Sequence, residues 1–181
     1  RWLLHTSNEP IIDGNGFRVQ VAADASRGHT SGHLSAHVLL PDRARLQAIG
    51  GPGFEFWVDG KNYDENGTLA SVIAQRKLAE PGRWRMEILP PTPKREDEFL
   101  VVLVPRTSLT NSTPFIRKIT QGNQHGVELV GLGNTRRWWF TPDRQDVALE
   151  TAAGRRMLYI QPNDELAGSL WNRFKQWWQK N

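Results

Sequence analysis

From residue 1 to about residue 160, apolar side chains come in short runs, each closed by Gly, Pro, Asn or Asp, which is the pattern of an antiparallel β fold. Strands are predicted over 2–6, 17–21, 34–40, 46–49, 54–58, 84–89, 99–104, 116–120, 127–130, 137–140, 147–150 and 157–160. Asp13-Gly14-Asn15-Gly16 tolerates positive φ and predicts a hairpin turn between the first two of these. Pro41 cannot donate to a ladder and closes the third. In Gly50-Gly51-Pro52-Gly53 a glycine-rich turn opens directly into an alternating strand. There Phe54, Phe56 and Val58 take one side and Glu55, Trp57 and Asp59 the other. Residues 61–80 break the rhythm and read as a long loop with one helical turn.

The period changes at the end of the chain. Asn163 and Asp164 are suited to cap a helix whose apolar positions are Leu166, Leu170, Trp171, Phe174, Trp177 and Trp178, with Lys175 and Lys180 favouring its C-terminus. Its aromatic face has three readings: it packs on the open side of a sheet, meets another domain, or lies on a membrane surface. The fold class expected is therefore all-β, an antiparallel two-sheet β-sandwich over 1–161, with a C-terminal amphipathic helix over 162–181 packed on it.

The 181-residue length is enough for one core that buries on the order of 70% of the unfolded surface without a disulfide or metal staple. The chain has no cysteine, which removes disulfides and thiolate zinc sites but does not decide the compartment. No apolar run approaches the roughly 20 residues that span a bilayer. The chain opens on Arg1, inside a predicted strand and without a signal-peptide pattern, and reads as a fragment or a processed chain. Net charge is +4, and 17 of the 23 cationic residues are arginine. That bias suits carboxylate, sulfate or phosphate partners, and equally an ordinary solvated basic surface. The cations are dispersed rather than blocked, so nucleic acid is not the expected partner.

Candidate chemistry is sparse. On a strand His33, Ser35 and His37 share a side, but two imidazoles about 13 Å apart cannot share a metal ion held near 2 Å. A solvated or hydrogen-bonded strand face is the expected role of these histidines, and no metal site is assigned. Glu55 and Asp59 are also about 13 Å apart on one face, whereas paired glycosidase carboxylates stand roughly 5–10 Å apart. The chain has no Gly-x-Ser-x-Gly elbow and no phosphate-binding loop. Asn66-Gly67-Thr68 and Asn111-Ser112-Thr113 match glycosylation acceptors, a tripeptide common by chance. The most ligand-like segment is Arg136-Arg137-Trp138-Trp139, because indoles stack on sugar rings while guanidinium groups pair with acidic substituents. Arg137 and Trp139 are expected on one face, Arg136 and Trp138 on the other. One tryptophan then belongs to the core, the other is a possible sugar platform, and packing under arginine stems is the competing role.

Four phrases, taken in order, carry a family resemblance. They are Arg1-Trp2-Leu3-Leu4-His5-Thr6-Ser7-Asn8-Glu9-Pro10, Leu39-Leu40-Pro41-Asp42-Arg43-Ala44-Arg45-Leu46, Gly50 through Tyr63, and Gly82-Arg83-Trp84-Arg85-Met86-Glu87 through Pro90-Pro91-Thr92-Pro93 to Glu98-Phe99-Leu100-Val101-Val102. Over roughly its first two thirds the chain resembles the C-terminal β-sandwich of heparinase II/III-like polysaccharide lyases. Those enzymes cleave uronic acid polysaccharides by β-elimination, using an α/α toroid and the first part of the β region. That part carries a Gly-x-His-x-His-x-Asp type motif and a later His-Asn-Thr type motif, and this chain contains neither. No catalytic residue, metal ligand or cofactor is therefore carried over. The resemblance implies a non-catalytic domain that braces a catalytic toroid of the same polypeptide, in a periplasmic or secreted enzyme. The alternative is a free-standing carbohydrate-binding module for acidic glycans. A third class, a peripheral membrane or protein-interaction module, would rest on the C-terminal aromatic face.

Overall fold

The computed structural model describes residues 1–23, 26, 30–54, 57–62, 82–107, 114–131, 133–140 and 146–159. The expected helix, the loop over 61–80 beyond residue 62, residues 55 and 56 of the aromatic strand, and both glycosylation tripeptides lie outside these residues. So does the expected boundary near residue 161. All regular elements described are antiparallel strands apart from one residue in a 3-10 turn. The chain divides into two compact units, Arg1–Ser112 and Thr113–Asn181.

In the first unit a three-stranded sheet has the order β1-β8-β5, with β1 Trp2–Thr6, β8 Trp84–Leu89 and β5 Arg45–Gly50. A four-stranded sheet has the order β2-β3-β4-β9, with β2 Ile11–Asp13, β3 Gly16–Val21, β4 Gly32–Leu40 and β9 Leu100–Arg106. The two sheets share one core. Phe17, Val19, Ala36 and Val38 come from the larger sheet, Met86 and Ile88 from the smaller, and Trp2, Leu4, Leu46 and Phe99 close around them. Met86 and Ile88 are fully buried. Alternation explains the selection: Leu34, Ala36 and Val38 of β4 point inward, and His33, Ser35 and His37 point outward.

The hairpin turn at Gly14-Asn15 forms where it is expected, but its first arm is β2, too short to stand out in sequence. β1 instead pairs with β8, Trp2 opposite Ile88 and Thr6 opposite Trp84. Likewise β8 and β9, adjacent along the chain, lie in different sheets. Their connection through Pro90, Pro91 and Pro93 crosses from one layer to the other.

At Gly51-Pro52-Gly53-Phe54 the amide of Phe54 donates to the carbonyl of Gly51 (2.9 Å), and Gly53 has φ +85°. Proline second and a positive-φ glycine third is a type II turn. Gly51 (φ +79°) lies under Trp84, whose ring a Cβ there would meet at 3.0 Å. Beyond the turn Phe54 and Trp57 meet ring to ring, with centroids 4.9 Å apart. The short hairpin β6 Trp57–Val58 and β7 Lys61–Asn62 is tied back by Asn62 Nδ2 donating to the Gly53 carbonyl (2.8 Å).

The second unit is a five-stranded meander in the order β10-β11-β12-β13-β14. Its strands are β10 Phe115–Gln121, β11 Gln124–Val130, β12 Arg136–Phe140, β13 Asp146–Thr151 and β14 Gly154–Tyr159.

Candidate functional site

The segment singled out in sequence, Arg136-Arg137-Trp138-Trp139, lies in β12, the central strand of the meander. Residues paired across an antiparallel sheet share a face. On one face the register brings together Arg117, Glu128, Arg137, Glu150 and Arg155, one from each strand. The row alternates in sign from edge to edge. Arg137 sits in the middle, with Nε donating to Glu128 Oε1 and Nη1 to Glu150 Oε1, both at 2.7 Å. Arg117 Nε donates to the other oxygen of Glu128. The Glu128 carboxylate, only 2% exposed, is thus held between two guanidinium groups.

The electrostatics follow from those contacts. Hydrogen bonds from Arg117 and then Arg137 hold the Glu128 carboxyl below the usual carboxylate range, against the opposing effect of desolvation. Glu150 is lowered in the same way by Arg137 and by the Trp139 indole, whose Nε1 donates to Oε2 at 3.0 Å. Arg137 is raised by its two carboxylates.

The next row on that face is Ile119, Gly126, Trp139, Ala148 and Met157. Trp139 is 7% exposed and packs over Gly126, where a Cβ would come within 3.0 Å of the indole and 2.5 Å of the Trp138 carbonyl. The Arg155 guanidinium lies 5.7 Å from the Trp139 ring centroid, within cation–π range. Trp139 is therefore walled by a glycine below, an arginine beside it and a carboxylate at its N–H. Arg137 is committed to two carboxylates.

Arg136 and Trp138 lie on the opposite face, Arg136 exposed and Trp138 half-buried. Trp138 shares its row with Lys118, Val127, Leu149 and Arg156. The structure thus separates the four residues into two pairs, as strand alternation requires. The ladder that occupies Arg137 was not anticipated in sequence; its signal was one acid or arginine in each of four consecutive predicted strands, with Arg155 just ahead of the fifth.

On the outer face of the four-stranded sheet, His33 is 8% exposed and its Nε2, like that of His37, is buried without a hydrogen-bond partner. The expectation of a solvated or hydrogen-bonded histidine face is corrected here: both Nε2 atoms are shielded from solvent and unmatched. Burial, and then the Arg106 guanidinium, lowers the pKa of His37. Among the described residues no group of three or more His, Asp or Glu is arranged to hold a metal ion. No described helix is long and apolar enough to cross a membrane. Comparison of the chain with protein-family models and with curated proteins finds no match in either.

Proposed function

We propose that the chain is the non-catalytic C-terminal β-sandwich of a heparinase II/III-like polysaccharide lyase, bracing a catalytic α/α toroid of the same periplasmic or secreted polypeptide. The observation that carries this reading is where the four family-like phrases fall. Trp2 and Leu4, Leu46, and Met86, Ile88, Phe99 and Val101 come from three of the phrases and all belong to the core of the first unit. The fourth supplies the Gly50-Gly51 bend over which Trp84 packs. Residues that hold two layers together and shape one rim serve a scaffold, and none of them forms an acid–base pair. The C-terminal aromatic helix would cover further sheet surface.

Intact mass and ultraviolet assay of the native protein test this reading. A polypeptide carrying a helical toroid ahead of Arg1, releasing conjugated unsaturated uronides from a uronic acid polysaccharide, is the expected result. A native protein of 20.6 kDa with a flat trace on every such polymer overturns it.

The second reading, a module for acidic glycans, is favoured by one observation: the exposed Arg136 and the Trp138 indole share a face two residues apart. The sugar platform is then Trp138, with Arg136 on the acidic substituent, because Arg137 and Trp139 are engaged by Glu128 and Glu150. Binding of this kind weakens as ionic strength rises and is lost in Trp138→Ala. Salt-independent or unchanged binding removes the reading.

A further inference from the structure

The two faces of the meander carry charge differently. On the face of the ladder, Arg117 and Arg137 are paired with Glu128 and Glu150. On the other face the register places Lys118, Arg136 and Arg156, and among the described strands no Asp or Glu occupies a paired position there. Arg136 and Arg156 are both exposed. Positive charge is thus neutralised on one side of the sheet and faces solvent at these two arginines on the other.

Strand order sets how far apart they stand. Trp138, Leu149 and Arg156 form one row across β12, β13 and β14. At roughly 4.8 Å between strands and 3.4 Å between residues, Arg156 starts about 10 Å from Trp138 and about 12 Å from Arg136. Leu149 and the half-buried Trp138 supply apolar surface within that interval. Arg156 also lines a cavity of about 270 Å³ at the turn between β13 and β14, with Leu149, Thr151, Ala153, Gly154 and Arg155. The turn is closed by the Ala153 amide, which donates to Thr151 Oγ1 (3.2 Å). Arg155 is engaged on the ladder face by the Trp139 ring and by Gln124 Oε1, so Arg156 is the cation that the cavity presents on the Trp138 face.

We propose that an acidic polysaccharide crosses this face at right angles to the strands, with one sugar ring on Trp138 and acidic groups of different sugars on Arg136 and Arg156. The inference rests on the second reading above and adds to it a second subsite, a direction and a minimum length. Each guanidinium pairs with a carboxylate or sulfate, while the indole and Leu149 take the apolar face of the sugar between. A single sugar residue does not extend from one arginine to the other, so the unit recognised is an oligosaccharide with its charges set apart. A nucleic acid carries a charge about every 3.4 Å of each strand and would leave phosphates over Trp138 and Leu149 without a counter-charge.

The test is calorimetric titration of the full chain, at low ionic strength, with hyaluronan disaccharide, tetrasaccharide and hexasaccharide, in which acidic and neutral sugars alternate. Affinity should rise at least tenfold from the disaccharide, with one carboxylate, to the tetrasaccharide, with two. Arg156→Ala should return the tetrasaccharide to the affinity of the disaccharide, leave the disaccharide unchanged and keep the melting temperature, since the side chain is exposed. Trp138→Ala should abolish both. Arg45→Ala, which removes an exposed arginine of the first unit, should change neither. Binding that is independent of length and of Arg156 but lost in Trp138→Ala overturns the second subsite and keeps the second reading. Failure of every acidic oligosaccharide to bind removes both. Equal losses in Arg156→Ala and Arg45→Ala, or tighter binding of phosphatidylserine vesicles or of an oligothymidylate than of the hexasaccharide, also overturn the proposal.

Discussion

The two units solve the same problem, holding antiparallel strands in one register, by different means. In Arg1–Ser112 two sheets enclose an apolar core in which Met86 and Ile88 are fully buried. In Thr113–Asn181 the row Arg117, Glu128, Arg137, Glu150 and Arg155 runs across a single sheet, with Trp139 set beside it on Gly126. An apolar core is nondirectional and tolerates repacking. A row of opposite charges is directional: displacing a strand by one residue turns each ladder side chain to the other face. The first unit should therefore be sensitive to lost volume, and the second to changes in charge and register.

Met86→Ala or Ile88→Ala should have the largest effect, about 2–5 kcal/mol of stability from the lost burial and the cavity left behind. Hydrogen exchange should show that loss in β1, β3, β4 and β8 and leave the protection of β10 to β14 unchanged. Equal loss in both would mean that the two units unfold as one and would break the comparison. Gly126→Ala comes next, at about 1–3 kcal/mol, because its methyl group would overlap the Trp138 carbonyl and crowd the Trp139 ring. The near-ultraviolet tryptophan signal should change with it. Glu128→Gln should lower the melting temperature of the second unit by several degrees, since the amide cannot neutralise both Arg117 and Arg137. An unchanged melting temperature would demote the ladder to an ordinary surface feature.

Acid sharpens the comparison with the smallest effect. His37, facing Ser35 on its own strand and Gly16 and Val102 across the ladders with Arg106 nearby, has a folded pKa below its ordinary 6.5. The unfolded chain takes up that proton first. Stability from this group is thus complete above pH 6.5 and declines as the pH falls through 6.5 toward the folded value. Glu128 and Glu150 have folded pKa values below their ordinary 4.5. Their contribution is complete above pH 4.5 and disappears as the pH falls through those lowered values. Melting between pH 7 and 3 should then weaken the first unit early and the second late. His37→Phe should remove the early change alone.

Much of the fold was legible because its signals are local. Gly14-Asn15, Pro41 and Gly51-Pro52-Gly53 each act through their own backbone preferences, and strand alternation separated Arg137 and Trp139 from Arg136 and Trp138. Pairing was not legible, because it joins distant segments. Nothing near Trp2 indicates that Ile88, rather than a residue of the next strand, lies opposite it. β2 and β7, three and two residues long, are too short to show a period. The ladder was hidden for a related reason: its hydrogen-bonded members are separated by 11, 9 and 13 residues, following loop lengths rather than any repeat.

The ladder also bears on how far the sheet can grow. Five strands with alternating signs begin and end on the same sign, and among the described residues both ends, Arg117 on β10 and Arg155 on β14, are positive. A second copy bringing either edge alongside at this level would set arginine against arginine, so the charge sequence cannot continue across the seam. A four- or six-stranded version would end on opposite signs and offer itself a complementary edge. Among the described strands, the two edges thus match in sign rather than complement each other at the level of the ladder.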